Sequence, residues 1–407
     1  MKKQGIDISE FYIEDLTDKR ADEVNSKFDS LTPKDICDAV KQKLLKLEAA
    51  YSVSEEVKTT TAASGIRDLV GKLKKKENFG TPIQGEIYSQ IINGAEKGAL
   101  TIRSGLSGLG KTRQAVGDAC ILSYPIRYNS MTRQWEQNGN NDKVLFIVTE
   151  QTFEQIQSMI LAYLTDIDES RFKYDVFTND EEKVISQAIS LMEEYESNFI
   201  LVKIPNPTIE LVKTLVRENC LTKEIDHVFY DYVFIGPALL NEFKGFNLRN
   251  DEVLLMFATA LKDLARELQV SIFTSTQVNA SADDNKNIRN ESSLAGGRST
   301  INKADNGAIM ARPTKEEIEI LEPLIKVYGE PNIVTDIFKV RGGEYSQLRI
   351  WSIVDLGRMK KQDLFITNSR FDVVEGFFER DEYQIQNWDD IQEQKFIERI
   401  NELNRKE

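Results

Sequence analysis

Eight consecutive residues constrain this chain more than any other feature of its sequence. Residues 105–112 read Gly-Leu-Ser-Gly-Leu-Gly-Lys-Thr, which matches the pattern G-x-x-x-x-G-K-[ST] at every position. The glycines allow a tight turn in which successive backbone N–H groups point at phosphate oxygens. We predict a strand before the loop and a helix after it, and a helix N-terminus attracts anions. The pattern therefore predicts a binding site for the phosphates of a nucleoside triphosphate.

Each part of this loop has a separate predicted task. Lys111 would place its charge near the β- and γ-phosphates, and the hydroxyl of Thr112 is a predicted ligand of Mg²⁺. ATP and Mg²⁺ are therefore the expected cofactors. The predicted nucleotide-binding residues are Gly105, Leu106, Ser107, Gly108, Leu109, Gly110, Lys111 and Thr112.

Composition limits the classes of protein to which the chain can belong. Its 407 residues suit one large α/β domain with an appendage, and no apolar run reaches the length of a transmembrane helix. The three cysteines lack metal-type spacing, so we expect a reduced, cytoplasmic protein without membrane association. A net charge of −14 argues against a surface coated with basic residues. A ring-shaped motor can keep its basic groups in a channel, so charge alone does not exclude nucleic acid.

Three regions follow from the sequence pattern. Residues 1–78 are polar with helical spacing, and residues 361–407 are predicted as a charged, partly helical tail. Residues 79–360 alternate strands with helices, as a mostly parallel α/β sheet requires. Residues 124–139 read as a hairpin insertion with Trp135 on one strand. The predicted strands of the sheet are Leu100–Arg103, Val144–Val148, Phe199–Ile204, His227–Tyr230, Ser271–Thr274, Gly307–Met310 and Thr335–Lys339.

Three of these strands end in side chains that suit triphosphate hydrolysis. Asp231 follows an apolar strand, which is the Walker B arrangement for organising Mg²⁺, and Glu150 follows another and is the candidate base. The carboxyl ends of parallel strands meet at one edge of a sheet, so both acids should lie near Lys111. Each acid alone is equally consistent with a surface carboxylate at a strand end. Gln277 ends the third strand and fits a sensor of the γ-phosphate, with ordinary capping of the neighbouring Ser and Thr residues as the alternative.

Two basic groups extend the candidate site. Lys339 ends the last predicted strand and Arg341 follows two residues later, and their spacing alone favours solvated residues on one strand face. The stretch 279–300 is polar and rich in turn-forming residues, and its basic side chains and paired glycines suit contacts with the phosphate backbone of a nucleic acid. A surface loop carrying Asp283 and Asp284 is the alternative. The predicted DNA-binding residues are Lys286, Arg289, Gly296, Gly297 and Arg298.

The order of these motifs resembles the RecA-like motor domain of the DnaB-type replicative helicases of superfamily 4. Residues 248–252 and 260–270 resemble the family helix before the glutamine strand, and residues 293–305 resemble the loop and helix lining the DNA channel. Residues 338–343, Phe-Lys-Val-Arg-Gly-Gly, resemble the family's Lys-x-Arg strand. The resemblance covers residues 80–355. The phosphate loop comes early in the chain, which is typical of a compact form as in phages and mobile elements.

The resemblance implies a role for each matched residue. Lys111 and Thr112 would hold phosphate and Mg²⁺, while Asp231 would organise the metal through water. Glu150 would activate the attacking water, and Gln277 would relay the loss of the γ-phosphate.

The resemblance also implies that the site is shared between subunits. Lys339 and Arg341 would act in trans on the ATP of the adjacent subunit, so activity requires a homo-oligomeric ring, expected to be a hexamer. A helicase loader and a primase are further expected partners.

We therefore expect an ATP-dependent, ring-forming replicative DNA helicase that moves 5′→3′ on single-stranded DNA. The main alternative is a RecA/RadA-like or KaiC-like ATPase that acts as a nucleotide switch without unwinding. Salt-sensitive stimulation of ATP hydrolysis by DNA would favour the motor, and hydrolysis indifferent to DNA would favour the switch. A metabolic kinase with a phosphate loop is disfavoured because no acceptor pocket is recognisable in the sequence.

Overall fold

The fold is described by a computed structural model in which the chain divides into two compact units, residues 1–75 and 76–407. Of the first unit the structure describes only Thr32 and residues 61–67 and 70–71, so the predicted helical region 1–78 lies almost wholly outside the described residues. In the second unit the structure describes residues 80–174, 176–244, 248–276, 303–341, 347–374 and 399–404.

The second unit is built on a central sheet. The described strands of this unit are β1 (Leu100–Gly105), β2 (Ile126–Asn129), β3 (Gln134–Gln137), β4 (Val144–Val148), β5 (Phe199–Lys203), β6 (His227–Asp231), β7 (Ser271–Thr274), β8 (Asn306–Ala311), β9 (Ile333–Val340), β10 (Leu348–Asp355) and β11 (Lys360–Asn368). Strands β2 and β3 form a separate hairpin, and the other nine form the central sheet. The nine-stranded sheet has the order β11-β10-β9-β8-β1-β7-β6-β4-β5. Strands β8, β1, β7, β6, β4 and β5 are parallel. Strands β9, β10 and β11 extend the sheet in antiparallel fashion.

Helices connect the parallel strands, and several begin at a threonine cap. The hydroxyl oxygens of Thr152, Thr178 and Thr314 each accept a hydrogen bond from the backbone N–H of the third helical residue. The backbone N–H of each threonine in turn donates to the side chain of that third residue. The described α-helices are α1 (Glu86–Ile92), α2 (Lys111–Ser123), α3 (Phe153–Thr165), α4 (Glu169–Tyr174), α5 (Asn179–Glu194), α6 (Ile209–Lys223), α7 (Pro237–Glu242), α8 (Asn250–Leu268), α9 (Lys315–Ile320) and α10 (Glu322–Tyr328).

Apolar cores lie on both faces of the parallel strands. Alternate residues of β4 face opposite sides, so Phe146 belongs to one core and Leu145 to the other. Helices α2 and α3 cover the first face, and α6 and α8 cover the second. The ring of Phe229 stacks between those of Phe146 and Phe273, with centroids 5.7 and 4.9 Å away. Burial on both faces explains why these strands read as continuous apolar runs.

All seven predicted sheet strands are present, and the boundary predicted at residue 360 is corrected. Strand β11 begins at that point and pairs with β10, so residues 360–368 continue the sheet and are not a helical tail. The charges of Lys361 and Asp363 suggested a solvated segment, yet both side chains are 1% exposed and their charged atoms lie 3.2 Å apart. Mutual pairing made burial possible for residue types that are otherwise exposed.

The predicted hairpin is formed by β2 and β3, and a C-terminal segment, residues 399–404, packs against it. The backbone N–H of Trp135 donates to Asn404 Oδ1 (2.9 Å), and Asn404 Nδ2 donates back to the carbonyl of Trp135 (3.2 Å). Leu403 and Trp135 are both buried in the core that α2 and α3 cover. The hairpin is therefore fixed between the α/β core and the end of the chain.

Candidate functional site

The phosphate loop joins the end of β1 to the start of α2. Gly105 is the last residue of β1, and Lys111 is the first residue of α2. Gly108 and Gly110 adopt φ angles of 80° and 78°, in the left-handed region that favours glycine. A Cβ atom on Gly110 would also lie 2.1 Å from Leu356 Cδ2. Backbone geometry thus favours glycine at this position, and a larger residue would also displace the side chain of Leu356.

The remaining loop residues divide between the core and the surface. Leu109 is buried beside Met310 and Ile333, and Leu106 packs against the same cluster. Ser107 is exposed. The apolar members therefore anchor the loop, while Ser107 and Gly108 are exposed to solvent, where a ligand can reach them.

Lys111 curls over the loop that precedes it. Its Nζ donates to the backbone carbonyls of Gly105 (2.8 Å) and Leu106 (3.0 Å). Burial lowers the pKa of Lys111, while the negative charges of Asp231 and Glu150 act to raise it. The ammonium group is therefore held where phosphate oxygens would replace the carbonyls as acceptors.

Thr112 and Asp231 form the candidate metal site at the same edge of the sheet. Thr112 Oγ1 donates to Asp231 Oδ2 (2.6 Å), and Thr149 Oγ1 donates to the backbone carbonyl of Asp231 (3.0 Å). Burial raises the pKa of Asp231 to about 6, against the lowering effects of Thr112 and Lys111. A buried carboxylate with too little compensating positive charge suits a divalent cation.

A magnesium site of this kind needs few protein ligands. Within the described ranges, no group of three or more His, Cys, Asp or Glu side chains could hold a metal ion. Mg²⁺ in phosphate-transfer sites usually keeps several waters and uses one or two protein ligands plus substrate phosphates. The residues Thr112 and Asp231 therefore fit Mg²⁺ bound together with a nucleotide.

Glu150 lies beside this pair, two residues after the end of β4. Strands β4 and β6 are neighbours, so the predicted convergence of Glu150 and Asp231 is present. The hydroxyl of Tyr232 donates to Glu150 Oε1 (2.8 Å). The sequence analysis did not predict this contact, although Tyr232 directly follows the Walker B aspartate. A side chain next to one acid thus orients the other.

The end of β7 is tied to the phosphate loop through hydroxyl groups. Ser104 Oγ and Thr276 Oγ1 lie 2.8 Å apart, and the backbone N–H of Thr276 donates to Ser104 Oγ (3.2 Å). Gln277, the predicted sensor, is the next residue and lies outside the described residues. The described part of β7 therefore leads directly to the candidate site.

A buried ion pair links the two elements that flank the loop. Arg103 of β1 donates through Nη2 to Asp118 Oδ2 of α2 (2.6 Å), and their side chains are 9% and 1% exposed. The guanidinium carbon also lies 5.6 Å from the ring centroid of Tyr88. The sequence analysis missed this pair because a single Arg in an apolar strand carries no pattern. Its position fixes α2 against β1.

Lys339 and Arg341 lie at the other edge of the sheet. Strand β9 runs antiparallel to β8, with Val340 opposite Asn306 and Val334 opposite Ala311. Arg341 Nη1 lies 3.1 Å from Asp305 Oδ1, close to the start of β1. Five residue steps of about 3.3 Å separate the two ends of β1, or about 17 Å. The structure thus does not bring this basic pair to the phosphate loop of its own subunit.

The predicted DNA-binding residues lie outside the described residues. These are Lys286, Arg289, Gly296, Gly297 and Arg298. Among the helices in the described part of the chain, none has both the length and the apolar character required to cross a membrane.

The mostly parallel sheet, the phosphate loop at its carboxyl edge and the adjoining acids define a RecA-like phosphate-loop ATPase. The chain belongs to the DnaB-like helicase family: the DnaB-like helicase C terminal domain matches residues 86–355. The family and the RecA-like α/β fold inferred from the sequence are thereby confirmed, and the protein is an ATPase of the helicase type.

A prophage-derived protein and two solved structures resemble this chain over most of its length. The SPbeta prophage-derived uncharacterized protein YorI of Bacillus subtilis (strain 168) is 28% identical over 373 residues, which cover 89% of this chain and 74% of that protein. A solved ATPase domain shares the fold with TM-score 0.55 and 16% identity, over 75% of this chain and all 100% of that chain.

A second solved structure, of a DnaB-like replicative helicase and its interactions with primase, also has TM-score 0.55. It is 13% identical and covers 85% of this chain and 78% of that one. The two solved structures support the fold, and the prophage relative supports the phage-type form expected from the sequence.

Proposed function

We propose that this protein is a ring-forming replicative DNA helicase that uses ATP hydrolysis to move 5′→3′ along single-stranded DNA and unwind duplex. One observation carries the proposal. The phosphate loop and its acids lie at one edge of the sheet, while Lys339 and Arg341 lie at the opposite edge. A subunit arranged in this way can complete its neighbour's site and not its own, which supports a shared site in a ring. The proposed hexamer follows the family resemblance.

Each side chain at the carboxyl edge has a distinct task in hydrolysis. Lys111 leaves the loop carbonyls to bind the β- and γ-phosphates, and Thr112 with Asp231 holds Mg²⁺. Bound Mg²⁺ supplies charge stabilisation for the phosphoryl oxygens. Glu150, oriented by Tyr232, accepts a proton from the attacking water.

The distant basic pair and the polar segment 279–300 connect hydrolysis with movement. Lys339 and Arg341 stabilise the charge that develops on the adjacent subunit's γ-phosphate, a task for which an arginine in trans is worth about 10³–10⁵ in turnover. Gln277 senses that phosphate. The DNA backbone is bound without sequence preference by Lys286, Arg289, Gly296, Gly297 and Arg298.

Primase and a helicase loader are proposed partners. The solved DnaB-like replicative helicase described with its primase interactions supports a primase partner for this chain. Binding of purified primase to this protein tests the primase partnership. Transfer of the ring onto closed circular DNA, with and without the loader, tests the loader partnership.

The decisive experiment measures steady-state ATP hydrolysis with and without single-stranded DNA at two salt concentrations. We expect DNA to stimulate hydrolysis and higher salt to weaken the stimulation, because backbone binding releases counterions. Lys111→Ala provides the blank. Strand displacement on duplexes that carry a single-stranded tail at either a 5′ or a 3′ end then tests unwinding and its direction. Hydrolysis that DNA leaves unchanged would replace the motor with a nucleotide switch.

A further inference from the structure

Asp305 is the point at which three elements meet at the edge of the sheet opposite the phosphate loop. It immediately precedes β8, and its Oδ2 accepts the backbone N–H of Leu100 at the start of β1 (2.8 Å). Lys262 of α8 forms an ion pair with the same oxygen. The other oxygen, Oδ1, lies 3.1 Å from Arg341 Nη1. Both carboxylate oxygens are thus engaged by different partners.

Arg341 is held to Asp305 through its main chain as well. The backbone N–H of Arg341 donates to the carbonyl oxygen of Asp305 (2.8 Å). The side chain of Asp305 is 11% exposed, whereas that of Arg341 is 47% exposed. A fixed carboxylate therefore contacts one nitrogen of a guanidinium group that extends into solvent.

This geometry leaves Arg341 able to bind a further anion. A guanidinium group has five N–H donors, and the carboxylate contacts it through Nη1. Lys262, whose side chain is 8% exposed, shares the negative charge of Asp305. Asp305 thus restricts the direction of the arginine without cancelling its charge, and less rotamer entropy remains to be lost when a phosphate binds.

We propose that Asp305 is the positioning residue that aims Arg341 at the neighbouring subunit's γ-phosphate. This inference rests on the proposed trans role of Arg341 and assigns to Asp305 a function in catalysis that depends on assembly. Asp305 acts through the arginine and touches no nucleotide of its own subunit, which lies at the other edge of the sheet.

The test is complementation between two defective variants in the full-length protein. Asp305→Asn keeps an oxygen for Leu100 but removes the ionic partner of Arg341, so we expect kcat of DNA-stimulated hydrolysis to fall about tenfold, with KM for ATP changed less than about twofold. Lys111→Ala subunits cannot hydrolyse ATP but carry an intact Asp305 and Arg341. Mixing the two should raise turnover per Asp305→Asn subunit several-fold, because some sites then pair an intact loop with an intact arginine.

Asp226 offers a matched control. It immediately precedes β6 as Asp305 precedes β8, accepts the backbone N–H of Lys143 (3.1 Å) and pairs with Lys97 (2.8 Å). Strands β1 and β7 separate β6 from β8 and the trans pair. Asp226→Asn should leave kcat within about twofold of the parent protein, as expected of a surface ion pair. An equal loss in Asp226→Asn would reduce Asp305 to a structural residue at a strand start.

The buried ammonium of Lys262 could destabilise Asp305→Asn, so a second variant combines Asp305→Asn with Lys262→Met. The double variant removes both buried charges, and its kcat loss and its rescue by Lys111→Ala subunits should equal those of Asp305→Asn alone. Normal hydrolysis in either variant, or loss that Lys111→Ala subunits do not rescue, overturns the role of Asp305.

A mixture of Arg341→Ala and Lys111→Ala subunits distinguishes the trans role of Arg341 from the positioning role of Asp305. Rescue of Arg341→Ala without rescue of Asp305→Asn rejects the positioning role and keeps the trans arginine. No rescue of Arg341→Ala rejects the trans arrangement, and the role of Asp305 with it.

Discussion

Asp231 carries an electrostatic cost that its protein neighbours do not relieve. It ends a strand whose five residues are all buried, and burial is the main reason that its pKa rises to about 6. Thr112 and Lys111 oppose this rise, while Glu150 adds to it. A carboxylate in this state favours any ligand that brings positive charge, which is a physical basis for coupling nucleotide and Mg²⁺ binding at this site.

The burial of the Asp231 carboxylate predicts the sign of the stability change in Asp231→Asn. Between pH 4 and 6 the folded state holds the proton more tightly than the unfolded state, so wild-type stability falls as pH rises through this range. At pH 7.5 the variant, which has no charge to bury, should therefore be more stable by about 1–3 kcal/mol. Near pH 4 the difference should vanish. Denaturant unfolding of both proteins without nucleotide measures it.

Asp142 supplies the control of opposite sign. Burial alone would raise its pKa, but hydrogen bonds from His227 and Thr81 outweigh burial and lower the pKa. Its ionised form therefore stabilises the fold at neutral pH, and this contribution is lost as pH falls through its folded pKa. Asp142→Asn should lose stability at pH 7.5. A gain in Asp142→Asn, or no gain in Asp231→Asn, would contradict this account of the two carboxylates.

At the level of elements, the antiparallel strands and the C-terminal segment enlarge the core beyond its predicted limits. Strands β10 and β11 complete the sheet, and Lys361 with Asp363 is buried between β11 and α1. Leu403 is 5% exposed in the core that also contains Trp135. Short charged segments can therefore be integral to the fold when their charges find partners inside it.

The C-terminal segment should contribute measurable stability. Leu403→Ala removes a buried side chain and should lower the free energy of unfolding by about 2–3 kcal/mol. Leu221→Ala is the matched control, because Leu221 is 76% exposed and its truncation should cost less than about 0.5 kcal/mol. Urea unfolding monitored by tryptophan fluorescence compares the two. Equal effects would mean that the segment does not pack on the core in solution.

At the level of the whole molecule, the two halves of the candidate site lie on opposite edges of one sheet. Lys111 and Asp231 are at the carboxyl edge, and Arg341 is near the start of β1 about 17 Å away. A rigid sheet cannot bring these groups together within one subunit. Assembly is therefore the means by which we propose that the site is completed.

Turnover per subunit should consequently depend on protein concentration. We expect it to rise with concentration and then level off as rings form, following mass action. Arg341→Ala should stay low at every concentration, because its rings assemble without the trans arginine. A shared site would be excluded if turnover per subunit stayed constant from dilute to concentrated protein while sedimentation showed a monomer throughout that range.

Much of the fold and of the loop could be predicted because the signals are local. Seven apolar strands and the octet at residues 105–112 depend on neighbouring residues in the sequence. Strands β10 and β11 were missed because polar residues such as Ser352, Lys361 and Asp363 interrupt their apolar pattern, and only pairing between strands allows those residues to be buried. The contact of Tyr232 with Glu150 was missed because the two residues follow different strands and lie far apart in the sequence.

The sequence by itself determined the phosphate loop, the alternation of strands and helices, and the helicase family. These properties rest on residue order and local periodicity, which survive without knowledge of packing. Only the tertiary structure decided that Asp231 is buried and that Arg341 lies beside Asp305 at the far edge of the sheet. Burial and strand direction arise from pairing between segments distant in sequence, and no local pattern records them.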